Sequence, residues 1–585
     1  MRELPAGASK VPVAPPEWAP QARDSRVATA AGAASKPDGG TSFRSDGPIR
    51  FQDVTQQTGV DFLHVDGSSG RHYIVESVAS GMATFDYDND GWADVYFING
   101  TALPGCQYAN VPRNRLFRNR GDWRFDDVTD AAGVGDLKFG LGVTVGDHDQ
   151  DGFADVYISN LGANVLYRNN GDGSFSDVTD TSGVAAEDSE RVGAGAAFLD
   201  ADVDGDLDIL AANYLRFSPE MKVVNYWRGV PIYPGPERFP PVAACLFLNN
   251  GDGTFTNASE SSGIGRHPGY GMGIVCTDVD GDGDTDVFVG NDGGPGNFLF
   301  INDGRGRFEQ TAIESGVAYT AGGLVNGNMG VDSGDYDNDG RPDFFVTSYQ
   351  HQLAILYRNL GDGRFEDVTQ RTGAGIGSFG QVTWGCGLVD LDCDGHRDIF
   401  YVCGHLIDNI DSIDDSASYL ARPVVLRNTR EGRFVDVSPQ SGEGLQKKSV
   451  GRGAAFEDLD HDGDLDVVIL NSRREPTFLR NDSPLGQWIQ LELHGTTTCR
   501  DAVGARVTVT TGKQVQTAEV HSGRAYQSHF GTRLHFGLGS HSRIDRVEVH
   551  WEGGETSRWE DLEANAFVAL VQESARAFVL PLANE

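Results

Sequence analysis

Four aspartates and a glycine, in the order D-x-D-x-D-G-x-x-D, recur seven times in this chain, beginning at Asp86, Asp147, Asp200, Asp278, Asp335, Asp390 and Asp458. Carboxylates at positions 1, 3, 5 and 9, with a turn-making glycine at 6, are what a hard, oxygen-seeking dication needs. The candidate ligands are therefore Asp86, Asp88, Asp90 and Asp94; Asp147, Asp149, Asp151 and Asp155; and Asp200, Asp202, Asp204 and Asp208. The later copies add Asp278, Asp280, Asp282 and Asp286; Asp335, Asp337, Asp339 and Asp343; Asp390, Asp392, Asp394 and Asp398; and Asp458, Asp460, Asp462 and Asp466. The opening half matches a helix-flanked calcium loop, but Phe97, not glutamate, stands at position 12 of the first copy. Strand-like runs such as DVYFING at 94–100 and DIFYVCG at 398–404 flank the loops. The motifs read as calcium loops on β-hairpins, holding about seven Ca²⁺ ions.

Clustered carboxylates repel: each close pair costs roughly 4 kcal/mol at 4 Å and an effective dielectric near 20. An empty loop must splay, protonate or take up a cation. The expected role of the ions is structural, holding hairpins and performing no chemistry.

These loops must be positioned by a longer repeat. Successive loops start 61, 53, 78, 57, 55 and 68 residues apart. After each comes a strand, a connection and a Leu-x-x-Asn signature, such as LFRN at 116–119 or LYRN at 166–169. A glycine turn (NGDG, 170–173) and an F-x-D-V-T strand (175–179) follow, then a glycine-rich strand such as GLGVTVGD at 140–147. Four short strands per unit make a propeller blade. The fold class expected is all-β: a seven-bladed β-propeller with one calcium loop per blade, plus a small C-terminal β-sandwich or barrel.

The F-x-D-V strand or a variant begins at Phe51, Phe125, Phe175, Phe255, Phe308, Phe365 and Phe434. The first has no loop before it, and the last repeat stops at FLRN, 478–481, with no such strand after it. Phe51–Thr55 is therefore expected to pair as the outermost strand of the last blade and close the ring, protecting edges that invite aggregation. The aspartate loops then lie on one face. Longer connections lie on the other, chiefly 214–245, with Tyr214, Tyr226, Trp227, Tyr233 and YPGPERFPP, and 403–424. Long loops on a rigid scaffold are where binding usually lives. The domains read as a disordered leader or linker at 1–48, the propeller at 49–484, a β domain at 485–575 and a tail at 576–585.

Acidic residues outnumber basic ones by 85 to 47, giving a net charge of −38. Seven dications would leave about −24, which argues against nucleic acid or anionic lipid as partner. Seven cysteines carry no metal-ligand spacing; Cys386 and Cys393 bracket the sixth loop and allow one local disulfide, or buried free thiols. No apolar run reaches the length of a membrane span. A monomer is expected, and the leader carries no signal-peptide core.

Near residue 486 the texture changes: WIQLEL at 488–493, ARVTVT at 505–510, RLHFGLG at 533–539 and RVEVHW at 546–551 alternate as half-buried strands. His494, His521, His529, His535, His541 and His550 match no tight ligand motif, and read as surface and edge residues. No serine elbow, Cys-His arrangement or phosphate loop is present. His351 and His405 fall just after second strands, where they could face an axial cavity.

The aspartate loops with their L-x-x-N…G-D-G-x-F-x-D-V-T companions resemble the FG-GAP/VCBS repeats of integrin-α-like propellers. The tail resembles the ASPIC/UnbV domain, through GARV at 504–507, EVHSGRAYQSHFGTRLHFGLG at 519–539 and RVEVHW. Together they resemble the cartilage acidic protein family in its bacterial form, over roughly residues 49–572. The resemblance implies an extracellular, periplasmic or cell-surface calcium-binding propeller. It would act in adhesion or bind a protein or glycan ligand on its long-loop face, as a non-catalytic scaffold. It also implies an alternative: a cyclase-like or accessory enzyme of natural-product (enediyne or polyketide) biosynthesis using the axial cavity. No catalytic residue carries over.

Overall fold

A computed structural model describes residues 23–24, 49–185, 188–484 and 486–580. Among these residues, seven four-stranded antiparallel sheets span 51–481. The first is formed by Met82–Phe85, Asp94–Phe97, Arg115–Asn119 and Phe125–Asp127, in that order. The others repeat it, with first strands Gly140–Gly146, Arg191–Leu199, Gly271–Thr277, Asn328–Gly334, Thr383–Val389 and Gly451–Glu457. First strands of successive sheets touch one another, and Gly451–Glu457 returns to Met82–Phe85, so the sheets form a closed cycle. Each aspartate loop joins a first strand to a second.

The seventh sheet takes its outer strand from the other end of the chain. Phe51 pairs with Asn481, Gln52 with Arg480 and Asp53 with Leu479, all antiparallel. The strand expected to close the ring does so. The recurrent D-V-T has a local cause: Asp127 Oδ1 accepts from Thr129 N (2.9 Å) and Oγ1, a turn that leads into the short helix Thr129–Ala132. Thr129 Oγ1 in turn accepts from Leu116 N, tying the turn to the third strand.

Residues 487–580 form two sheets packed face to face. One holds Gln487–His494, Leu534–Gly539, Phe567–Val571 and Ala577–Leu580; the other holds Arg506–Thr511, Gln514–Glu519, Arg543–His550 and Thr556–Glu563. Inward residues such as Ile489, Leu491, Val507, Val547 and Leu570 share one core. Ala577–Leu580, expected in a tail, is instead a strand paired with Phe567–Val571, because its alternating side chains continue that sheet. Within the expected leader only Arg23–Asp24 is described, paired with Phe578 and Val579; the rest of 1–48 lies outside the described residues.

Between the strands ending at Glu519 and starting at Leu534, the chain leaves the small domain and enters the centre of the ring. Ala525 exchanges backbone hydrogen bonds with Val331, and His529 with Met82 and Thr84. Gln527 O accepts from Val143 N, and Ser522 Oγ donates to Val145 O. Tyr526 packs edge-on against Trp384, with centroids 5.0 Å apart, and Phe530 against Phe456. His521 Nδ1 meets Cys276 O at 2.9 Å. The fit excludes even a methyl group at some points. A Cβ on Gly81 would stand 1.7 Å from Gln527 O, and one on Gly523, whose φ is +85°, 1.9 Å from Ala196 O. The segment thereby touches the first strands of all seven sheets and fills the axis. His521 and His529, read from sequence as surface or edge residues, are buried there because they line this contact.

All seven cysteines are free, six of them buried. The possible Cys386–Cys393 disulfide is absent: Cys393 occupies a left-handed loop position and its Sγ approaches Gly463 O and His535.

Candidate metal centres and the opposite face

The loops share one backbone solution. Asp86 Oδ1 accepts from Asp90 N at 3.0 Å and its Oδ2 from Gly91 N at 2.7 Å, so position 1 closes the turn. Asp147, Asp200, Asp335, Asp390 and Asp458 repeat both bonds. Asp278 differs, taking its first bond from Gly281. The glycine at position 6 has φ of +91° in the first loop, a region that favours glycine. Position 4 is also left-handed in every loop, although it carries Asn89, Gln150, Val203, Asn338, Cys393 or His461 in six of them.

The aspartate at position 9 is held from both sides. Asp94 Oδ2 accepts from Tyr87 N (3.0 Å) and Oδ1 from Asn119 N (2.7 Å). All seven loops repeat this pair, with the second donor the asparagine of Leu-x-x-Asn in five and of its Val-x-x-Asn and Phe-x-x-Asn variants, Asn428 and Asn481, in the last two. That asparagine also bridges sheets. Asn169 Nδ2 donates to Tyr87 O in the preceding loop, and the equivalent bond recurs at 2.8–2.9 Å around the whole ring. The sequence marked this asparagine but not its task.

The arrangement leaves carboxylate oxygens converging. In the first three loops positions 1, 3 and 9 each place one oxygen within 4.8 Å of the others; in the fourth and fifth, positions 1, 3 and 5 do so. The position-3 Oδ1 atoms of Asp88, Asp149, Asp202, Asp337 and Asp460 are buried and accept no hydrogen bond among the described residues. A buried acceptor without a donor costs about 1–3 kcal/mol, more when charged. Five orphaned at one repeated position fit a hard cation bound through oxygen, the donor set calcium takes.

Charge crowding acts on the carboxyls themselves. Burial first, then Asp90 and Asp88, pushes Asp86 up to about 7. Burial, with Asp501 and Asp155, pushes Asp147 up to about 9. Arginines relieve part of this: Arg118 Nη2 lies 2.8 Å from Asp88 and 2.7 Å from Asp90, and Arg358 reaches Asp337 and Asp339. They contact outer oxygens and leave Oδ1 of Asp88 and Asp337 unpaired.

The small C-terminal domain sits on this face. Asp501 Oδ2 accepts from Asp147 N (2.6 Å), Gln490 Nε2 donates to Asp458 Oδ2 (2.7 Å), and Thr285 Oγ1 donates to Glu552 (2.7 Å). No motif in the sequence marks these supports.

On the opposite face the two long connections meet. Ile232 and Tyr233 of the first pack with Ile407, Ile410 and Ile413 of the second. Arg473 holds both, pairing with Asp66 and, at 2.9 Å, with Asp408, and donating to Tyr233 Oη at 2.8 Å. His351 and His405 do not enter the axis. His405 is buried, beside Gln350 and accepting from Ile407 N, and burial lowers it to about 4. His351 is exposed and packs on Phe379. No described helix is long and apolar enough to cross a membrane.

Residues 495–577 match the ASPIC and UnbV family. The FG-GAP-like repeat matches 86–158, 148–211, 242–289, 278–346 and 335–401. Cartilage acidic protein 1 of Mus musculus is 26% identical over 508 residues, covering 84% of this chain and 65% of that protein. The Homo sapiens protein is likewise 26% identical, with 63% of its length covered. The chain thus spans just under two thirds of the curated relatives it matches. A lectin structure from Agrocybe aegerita, described as recognising non-reducing terminal N-acetylglucosamine, is 19% identical. It covers 62% of this chain and 81% of its own, at a TM-score of 0.33.

Proposed function

We propose that this chain, an FG-GAP-like repeat protein carrying a C-terminal ASPIC and UnbV domain, is a calcium-stabilised seven-bladed propeller serving as a non-catalytic binding scaffold. The observation that carries the reading is the row of orphaned Oδ1 atoms at position 3 of five loops. A cation there converts the largest local repulsion into a cross-link between first and second strands. The 28 loop aspartates are the proposed ligands, four to each of about seven ions.

Binding belongs to the other face. The small domain is docked on the aspartate-loop face, and the axis is filled by 519–533, whereas the long connections carry exposed side chains such as Tyr226 and Trp227 on the other face. A protein or glycan ligand, engaged by a monomer at the cell surface, in the periplasm or outside the cell, fits a surface of this kind. The net charge of −38 disfavours nucleic acid. Metal analysis of protein dialysed in millimolar calcium tests the scaffold: close to seven ions per chain are expected, and two or fewer contradict the reading.

A further inference from the structure

The two long connections roof a cavity of 630 Å³ at the mouth of the ring, on the face away from the aspartate loops. Its size falls within the roughly 300–1,000 Å³ of small-ligand sites. One wall is the hairpin Asn225–Trp227 and Val230–Ile232, turned through Arg228 and Gly229, both left-handed. This hairpin is rigidly seated, because Ile232 and Tyr233 at its base are buried against the second connection.

The hairpin nevertheless presents Tyr226 at 70% exposure and Trp227 at 44%, successive strand residues that both line the cavity. Large rings held in water on a fixed element are a contact surface, since packing elsewhere in the fold does not use them. Tyr349 adds a further ring to the lining. Polar groups stand between them. Asp292 engages Tyr214 Oη through Oδ2 at 2.7 Å, and among the described residues its Oδ1 accepts no hydrogen bond. Gln352 uses its Oε1 on Gly327 N (2.8 Å), leaving the amide N–H groups, and the Asn225 amide supplies both a donor and an acceptor. Among the described residues, no lysine, arginine or histidine lines the cavity.

We propose that this cavity binds an uncharged saccharide. The proposal rests on the reading of the long-loop face as the binding surface, and names the ligand class. Flat rings accept the C–H face of a sugar ring, while two carboxylates, Asp292 and Glu237, and the amides of Asn225, Asn326 and Gln352 supply the mixed donors and acceptors that vicinal hydroxyls need. The lack of any basic side chain excludes uronates and sulfated sugars, which a wall bearing Asp292 in a strongly acidic protein would repel. An organic cation would use the rings and both carboxylates, but it gives the amide donors of Asn225 and Gln352 nothing to bind.

The test is an array of immobilised neutral, anionic and amine-bearing glycans, probed with the calcium-loaded full chain and with Trp227→Ala and Asp292→Asn. Calorimetry with the best soluble neutral oligosaccharide follows. Capture of at least one neutral glycan is expected, with affinity reduced tenfold or more in each variant and melting unchanged. Retention of no neutral glycan above the Trp227→Ala background overturns the proposal. So does retention confined to anionic glycans, or a choline titration that quenches tryptophan fluorescence where no saccharide does. Calcium content measured on the same sample separates the two failures: a blank array with seven ions bound removes only the saccharide site, and missing ions remove the scaffold reading.

Discussion

Asn119 Nδ2 donates to the carbonyl of Leu459 at 2.9 Å, joining the first sheet of the ring to the aspartate loop of the last. The same side chain also donates to Ala93 O and accepts from Gly121 N, so one amide ties its own loop, its own turn and the neighbouring loop. Six other asparagines do this between consecutive sheets; Asn119 does it across the closure.

Asn119→Ala leaves the carbonyls of Ala93 and Leu459 without donors in a buried site. A loss of about 1–3 kcal/mol for each is expected, read as a lower denaturant midpoint. The exposed Asn170→Ala is the control. An unchanged midpoint in Asn119→Ala would show that closure does not depend on this bridge.

Deleting residues 49–56 removes the outer strand of the seventh sheet and exposes the edge Thr477–Asn481. The deleted protein is expected to aggregate or to melt well below the parent, while deletion of 1–48 is tolerated. Equal tolerance of both truncations contradicts the closure.

Calcium removal should act on the whole ring. At free ion about 100-fold above the dissociation constant, each site contributes about 2.7 kcal/mol. Excess EDTA is expected to lower the melting temperature sharply, with recovery on adding calcium back. A melting curve indifferent to chelation excludes the structural role.

Arg524 sits buried in the ring's centre, 2.6 Å from Asp332 and stacked over Phe530. Arg524→Ala strands a buried carboxylate, at an expected cost of about 3–5 kcal/mol, and Asp332→Asn in the same chain should recover part of it. Calorimetry should show the ring and the small domain melting in one transition. Two separate transitions in the parent protein would mean that the axial segment does not couple them.

His529 is fully buried and neutral, and burial lowers it from 6.5 to about 3. A histidine depressed in the folded state contributes stability that is complete above its unfolded value and is lost as pH falls below it. Between pH 7 and pH 5 the loss from this residue is about 2 kcal/mol, at 1.36 kcal/mol per unit below 6.5. His529→Gln should flatten the pH dependence of the denaturant midpoint over that window. An identical slope in both proteins removes His529 as its source.

Much of the ring was legible because its physics is local and repeated. Aspartate spacing, the Leu-x-x-Asn signature and the surplus strand at Phe51 are each short patterns, and the closed cycle follows from counting them. The axial segment was not legible. SGRAYQSHFGT mixes polar, small and aromatic residues with no period, because its environment is seven converging strand edges, not one face of a sheet. Its backbone bonds to Val331, Met82 and Val143 join residues about 190 to 450 positions apart, which no local pattern can announce. The same holds for Asp501 and Gln490, whose partners lie in the loops. Position 4 of the loops was misleading in another way: Val203 and Cys393 adopt a backbone that their types disfavour, so the ring imposes the turn there.

The segment in the ring's centre also has a consequence for how the molecule is made. The hub of the wheel is supplied by residues 519–533, synthesised after every rim element. A chain halted anywhere before that point carries an axle hole lined with glycine backbone and unpaired amides. Closure of the ring's centre thus waits for residues 519–533, which follow the last rim strand, Thr477–Asn481, in the chain.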